Sequence, residues 1–117
     1  SNSPLNSEDE KILADLQTFV GGITKHMDNY RLYLAAEEIY HYVWHTFADK
    51  IIEESKIKLT SRDETERTSA QRMLIDVLAT SLKLLHPFMP FITEEIWSKL
   101  PLPKKNLLIV ENWPSKN

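Results

Sequence analysis

The chain has 117 residues, 42% hydrophobic and 26% charged, which suits one globular core and leaves no room for a nucleotide-binding catalytic fold beside it. The absence of cysteine excludes disulfides and thiolate metal sites and suits a reducing compartment. A net charge of −3 excludes the broad basic surface of an autonomous nucleic-acid binder, and no apolar run reaches the ~20 residues of a membrane span.

The N-terminus carries no charged-then-apolar leader pattern. Ser1-Asn2 without an initial Met reads as the start of an excised fragment, a single domain over 1–117 with about 8–114 ordered. Only two glycines occur, there is no repeat or low-complexity stretch, and helical periodicity dominates. Ser7-Glu8-Asp9-Glu10 reads as a capping box. Behind it, Ile12, Leu16, Phe19, Val20, Ile23 and Met27 fall on one stripe. Gly21-Gly22 interrupts this helix at a cost of roughly 1 kcal/mol per glycine, which predicts a bend or a neighbouring helix in close approach. Asp28-Asn29 ends the helix and is placed to cap the next.

The second helix is expected from about Tyr30 to Glu54. At ~100° per residue, Leu32, Ala36, Ile39, Tyr40, Val43, Trp44, Phe47 and Ile51 cover about half its circumference, as in a central helix. Glu37, Glu38, His41, His45 and Asp49 then form its wet face. Ser61 to Glu64 repeats the capping-box pattern, with Asp63 and Arg67 spaced for an i, i+4 pair. Ala70, Met73, Leu74, Val77, Leu78, Ser81 and Leu85 give the third stripe.

Two prolines three residues apart, Pro87 and Pro90, cannot both sit in a continuous helix. The stretch is apolar, so it reads as a packed corner: one helix ends near Leu85 and another opens near Pro90, proline being tolerated at a first helical position. Ile92, Ile96, Trp97 and Leu100 line that short helix, Pro101 and Pro103 stop it, and Leu107 to Val110 reads as an extended segment laid on the bundle. The fold class is all-α, an antiparallel bundle of four to five helices with an extended C-terminal tail.

Catalytic residues do not emerge. The serines sit at caps, termini and the third helix, with no strand-to-helix elbow. The adjacent glycines make no phosphate loop. His41 and His45 have zinc-ligand spacing, but Tyr42 occupies the position where a zincin motif needs Glu, so two solvated histidines is the better reading and no metal is expected. Tyr40, Trp44, Phe47 and Trp97 read as core aromatics rather than base-stacking platforms. Asp49 is placed to pair with a basic side chain of a neighbouring helix.

In an up-down bundle the first turn and the proline corner lie at one end. That end would gather Lys25, His26, Asn29, Tyr30, Arg31 and Tyr33 with Lys83, His86 and Phe88. Cations, amides and aromatics together suit splayed RNA bases, while the same residues one by one also serve as ordinary caps and corner packing.

Leu84-Leu85-His86-Pro87-Phe88-Met89-Pro90-Phe91 followed by Thr93-Glu94-Glu95-Ile96-Trp97 resembles the signature of the anticodon-binding helical domain of class I aminoacyl-tRNA synthetases. Tyr30-Arg31-Leu32-Tyr33-Leu34-Ala35-Ala36-Glu37, running on to Tyr40, Trp44, Phe47, Ala48, Asp49 and Lys56, is most similar to the form carried by the valine enzymes. Leu108-Ile109-Val110 and Trp113-Pro114 fit the same pattern, so the likeness runs from about Glu8 to Pro114. The corner motif is shared with the leucine and isoleucine enzymes, which remain alternatives, as does a helical protein-interaction module from a different functional class.

The resemblance implies Trp44, Asp49, His86, Pro87, Pro90 and Trp97 as motif residues of the core, and it supports the turn-and-corner end as the one facing the anticodon loop; the candidates for tRNA contact, Lys25, His26, Tyr30, Arg31, Tyr33 and Lys83, come from topology and not from the motif. It implies a cytoplasmic parent ligase using ATP and Mg²⁺. The fragment itself would have no cofactor and do no chemistry. Its partners would be the anticodon stem-loop of tRNA and the catalytic domain of the same parent chain. Neither DNA nor a membrane is expected.

Overall fold

The computed structural model describes residues 4–102, 106–108 and 111–114. Helix α1 spans Ser7–Asp28. Helix α2, Leu32–His41, runs unbroken into a π-helical stretch, Tyr42–Ile52, and on into α3, Glu53–Leu59. Helix α4 spans Glu64–Leu85 and α5 spans Pro90–Ser98. Counting α2, the π stretch and α3 as one rod gives four helical rods, with no strand among the described residues. The rods make an elongated bundle of 46 × 26 × 25 Å. Helix α4 is its hub, packing against α1, α2, α3 and α5.

The core is built from Leu16, Val20 and Ile23 of α1, Ala35 and Ile39 of α2, Phe47 and Ile51 of the π stretch, and Met73, Val77 and Leu84 of α4. A smaller cluster joins Leu82, Trp97 and Leu108. The π stretch decides which aromatics enter. Its wider turn places buried residues five apart, at Tyr42 and Phe47, rather than on the i, i+3, i+4 grid. Trp44, expected in the core, is therefore left 45% exposed, and Tyr40 and Leu32 are exposed with it. The rod also continues to Leu59, past the expected end at Glu54.

Capping differs from both boxes read in the sequence. Asn6, not Ser7, caps α1, its Oδ1 accepting from the Asp9 N–H at 2.9 Å. Asp63, not Ser61, caps α4, accepting from the Thr65 N–H at 2.9 Å. Its carboxylate is thereby used, and Arg67 donates instead to the Ser61 carbonyl at 2.8 Å. Neither Asp28 nor Asn29 caps α2, whose N-cap position is Arg31 without a side-chain bond. Gly22 is exposed, with nothing within 4 Å of where a Cβ would sit, so no close helix approach explains it.

The base of the bundle holds a polar knot. Fully buried Asp9 accepts from Ser69 Oγ at 2.6 Å and from Lys58 Nζ at 3.2 Å, and Ser69 Oγ accepts from the Asn6 N–H at 2.9 Å. At the far end the proline corner is locked from inside. Thr93 Oγ donates to the Met89 carbonyl at 2.7 Å and lies 2.9 Å from His86 Nδ1.

Pro87 and Pro90 are solvent-exposed rather than core, since their effect is on the backbone; Pro90 opens α5 at its first turn. His86 is half-buried and Trp97 is buried. On α5 the buried side is Thr93 and Trp97; Ile92 and Ile96, expected to face inward, do not. The tail straps the bundle. Trp97 Nε1 donates to the Asn106 carbonyl at 2.7 Å, Glu94 accepts from the Leu108 N–H at 2.7 Å, and Trp113 Nε1 donates to Thr24 Oγ1 at 2.9 Å. Ile109 and Val110, part of the expected extended segment, lie outside the described residues, as does Pro103.

Candidate nucleic-acid interface

The turn after α1 is a Schellman motif. The Tyr30 N–H donates to the Met27 carbonyl at 3.0 Å and the Arg31 N–H to the His26 carbonyl at 2.8 Å. This geometry puts Tyr30 in the left-handed region, with φ 59°, where glycine is the usual occupant. A tyrosine there costs roughly 1–2 kcal/mol, and its ring recovers nothing by packing, being 90% exposed. The strained position holds a bare aromatic ring out in water.

Around it the structure assembles most of the expected end. Lys25, Arg31 and Tyr33 are exposed, and neither cation has an ion-pair partner among the described residues. Asn29 is taken up by the turn, its amide donating to the Lys25 carbonyl at 2.8 Å. His26 sits between helices, its Nε2 2.9 Å from Glu38 Oε2, and so staples α1 to α2. The corner lies at this same end: Trp113, bonded to Thr24 near the end of α1, shares a cleft with His86 and Pro87.

Lys83 lines that same cleft beside His86 and Pro87 but, unlike Lys25 and Arg31, is paired. It points along the flank of the bundle, 3.7 Å from Glu111 and over the Trp97 ring. Phe88 is half-buried against the core. It lines an apolar groove of about 340 Å³ with Ala36, Tyr40, Leu85 and Met89.

Sequence periodicity missed one feature of this surface. Tyr40 and Trp44 stack face to face, ring centroids 4.8 Å apart, on the outside of the rod beside that groove. Their position between Glu37, His41 and His45 was the available signal, because a helix face that carries those polar groups is wet. The two histidines belong to no group of three or more possible metal ligands among the described residues. Their rings lie 4.9 Å apart, and His45 faces Asp49 of its own helix at 3.5 Å. Asp49 is exposed, not a core residue, and among the described residues its ion-pair partner is His45 of its own helix, not a basic side chain of another. No described helix is long and apolar enough to cross a membrane.

A solvent-held tyrosine, a second exposed tyrosine and two uncompensated cations at one end of an otherwise acidic bundle form a surface suited to unpaired bases and their phosphates. Comparison with known proteins gives the family. The model for the anticodon-binding domain of tRNA ligase matches residues 9–117. Curated relatives include the valine–tRNA ligase of Thermotoga maritima, 43% identical over 110 residues, which cover 94% of this chain and 12% of that protein. The corresponding enzyme of Fervidobacterium nodosum is 41% identical over 112 residues, covering 96% and 12%, and that of Oceanobacillus iheyensis 36% identical over 113 residues, covering 97% and 13%. The chain thus spans about an eighth of the length of these relatives. By fold, by corner motif and by these matches, the chain belongs to the family of anticodon-binding domains of tRNA ligases.

Proposed function

We propose that this domain grips the anticodon arm of tRNA through the end formed by Lys25, Tyr30, Arg31 and Tyr33, as part of a cytoplasmic valine–tRNA ligase. Its relatives bear that name, and the catalytic domain, with its ATP and Mg²⁺, would lie elsewhere in the same polypeptide. The domain's own contribution is positioning. Binding energy gained far from the reacting atoms is expressed as correct placement of the tRNA 3′ end. Thr93 and His86 hold the corner, and the His26–Glu38 pair holds the turn, so the RNA-facing groups are presented on a rigid frame.

The observation that carries this reading is Tyr30, held in a costly backbone conformation with its ring in solvent. The test exploits that cost in the full-length protein. Tyr30→Gly relieves the left-handed strain, so thermal stability should hold or rise, while tRNA affinity falls by about 1–3 kcal/mol through loss of stacking. Arg31→Ala should weaken tRNA binding on the same order and leave tRNA-independent pyrophosphate exchange intact. Arg62→Ala, at the opposite end, is the control. Unchanged affinity in Tyr30→Gly and Arg31→Ala together, or equal losses in all three variants, would refute the assignment.

A further inference from the structure

Helix α5 buries one side and leaves a second apolar side bare. Thr93 and Trp97 face α4 and the tail, yet Phe91 is 91% exposed, Ile92 53% and Ile96 is also exposed. Met89, just before the helix, adds a fourth partly exposed apolar side chain. Ile92 and Ile96 are one turn apart, with Phe91 beside them, which makes a continuous ridge. Isolated apolar side chains on a surface need no explanation, but a clustered ridge of this kind marks an interaction site.

The charge around the ridge decides between kinds of partner. Helix α5 carries Glu94 and Glu95, and the nearby Lys99 is already paired with Glu95. Among the described residues no uncompensated cation accompanies the ridge to meet a phosphate, in contrast to Lys25 and Arg31 at the α1–α2 turn. Apolar, faintly acidic surface suits protein rather than RNA. The length comparison names the protein: the relatives extend this domain about eightfold, so a large body of the same polypeptide is available to cover the face.

We propose that Phe91, Ile92 and Ile96 form the seat on which an apolar segment of the same polypeptide, outside these 117 residues, docks. The proposal rests on reading the chain as one domain of a tRNA ligase. Docking there would anchor the corner through Pro90 and Thr93 and fix the direction in which the RNA-binding end points.

Hydroxyl-radical footprinting of the full-length protein, with and without tRNA, tests it. Each side chain's oxidation rate is compared with its rate in the urea-unfolded protein. Phe91 should oxidise about tenfold more slowly in the native protein without tRNA, as a side chain in a packed interface does. A ratio near one would show the face bare and overturn the proposal. Protection that appears only on adding tRNA would assign the ridge to RNA. Protection that grows with protein concentration would assign it to a second copy. Either result overturns docking within one polypeptide. The RNA reading is judged apart, by whether tRNA protects Tyr30 and Tyr33, and it can fail while the Phe91 result stands.

Discussion

Removing the carboxylate of Asp9 should cost about as much as deleting a large aliphatic side chain from the core, although the group is polar. Asp9 is fully buried at the base of the bundle and joins three elements, taking a proton donor from Ser69 of α4 and an ammonium from Lys58 of α3. Truncation to Ala leaves the Ser69 hydroxyl without its acceptor. It also leaves Lys58, mostly buried, with Glu8 alone at 3.4 Å. Losing one partner of a buried ionic pair costs about 3–5 kcal/mol, and Glu8 keeps the cost near the lower figure. In a domain of this size that corresponds to a fall in Tm of roughly 10–20 °C. Urea unfolding of the wild type, Asp9→Ala, Lys58→Met and the double variant measures both the cost and the coupling. The double variant should be less destabilised than the sum of the singles by at least about 1 kcal/mol, since the two groups share one interaction. A single-variant cost under about 1 kcal/mol, or simple additivity, would show that the knot adds nothing to stability.

Gly22→Ala should stabilise the chain by about 0.5–1 kcal/mol, because the position is an exposed helix interior with open space for a Cβ; a loss in urea midpoint would contradict this. Burial, with the charge of Asp15 second, pushes the Tyr42 phenol up to about 12 from its ordinary 10.0. The folded state therefore holds this proton more tightly than the unfolded chain, and stability is full below pH 10 and declines as pH rises toward 12. Thermal melts of the wild type and Tyr42→Phe across that range check it: the variant should lose part of the alkaline decline, and identical slopes would refute the assignment.

The helices were legible because their stripes and breakers act locally. The ends near Asp28 and Leu85 and the restart at Pro90 follow from residues that cannot continue a helix. The π stretch was not legible. Nothing in Tyr42 to Ile52 marks a wider turn, and a change of about one residue per turn was enough to swing Trp44 from core to solvent while bringing Tyr42 in. The polar knot was hidden for another reason. Asp9 sits among first-turn acids, where a dipole role explains it fully, and only the fold shows that Ser69 and Lys58 converge on it. At the end that carries the α1–α2 turn, sequence topology brought the turn and the corner together. It could not show that Lys83 would be drawn aside by Glu111, because that pairing depends on where the tail lies.

The strap formed by the tail has a kinetic consequence. Trp113 reaches Thr24 across a sequence separation of 89 residues, whereas α1 and α4 each form through bonds four residues long. Closing so large a loop is slow relative to helix formation, so the helices assemble first and the strap closes late. Interactions made after the rate-limiting step change the unfolding rate and leave folding speed almost untouched. Trp113 and the tail contacts of Asn106 and Leu108 thus act as a latch on lifetime. They set how long the first helix, the hub and α5 stay joined once the bundle has formed, and with that how long the tyrosine at the α1–α2 turn stays in its strained, outward-facing pose.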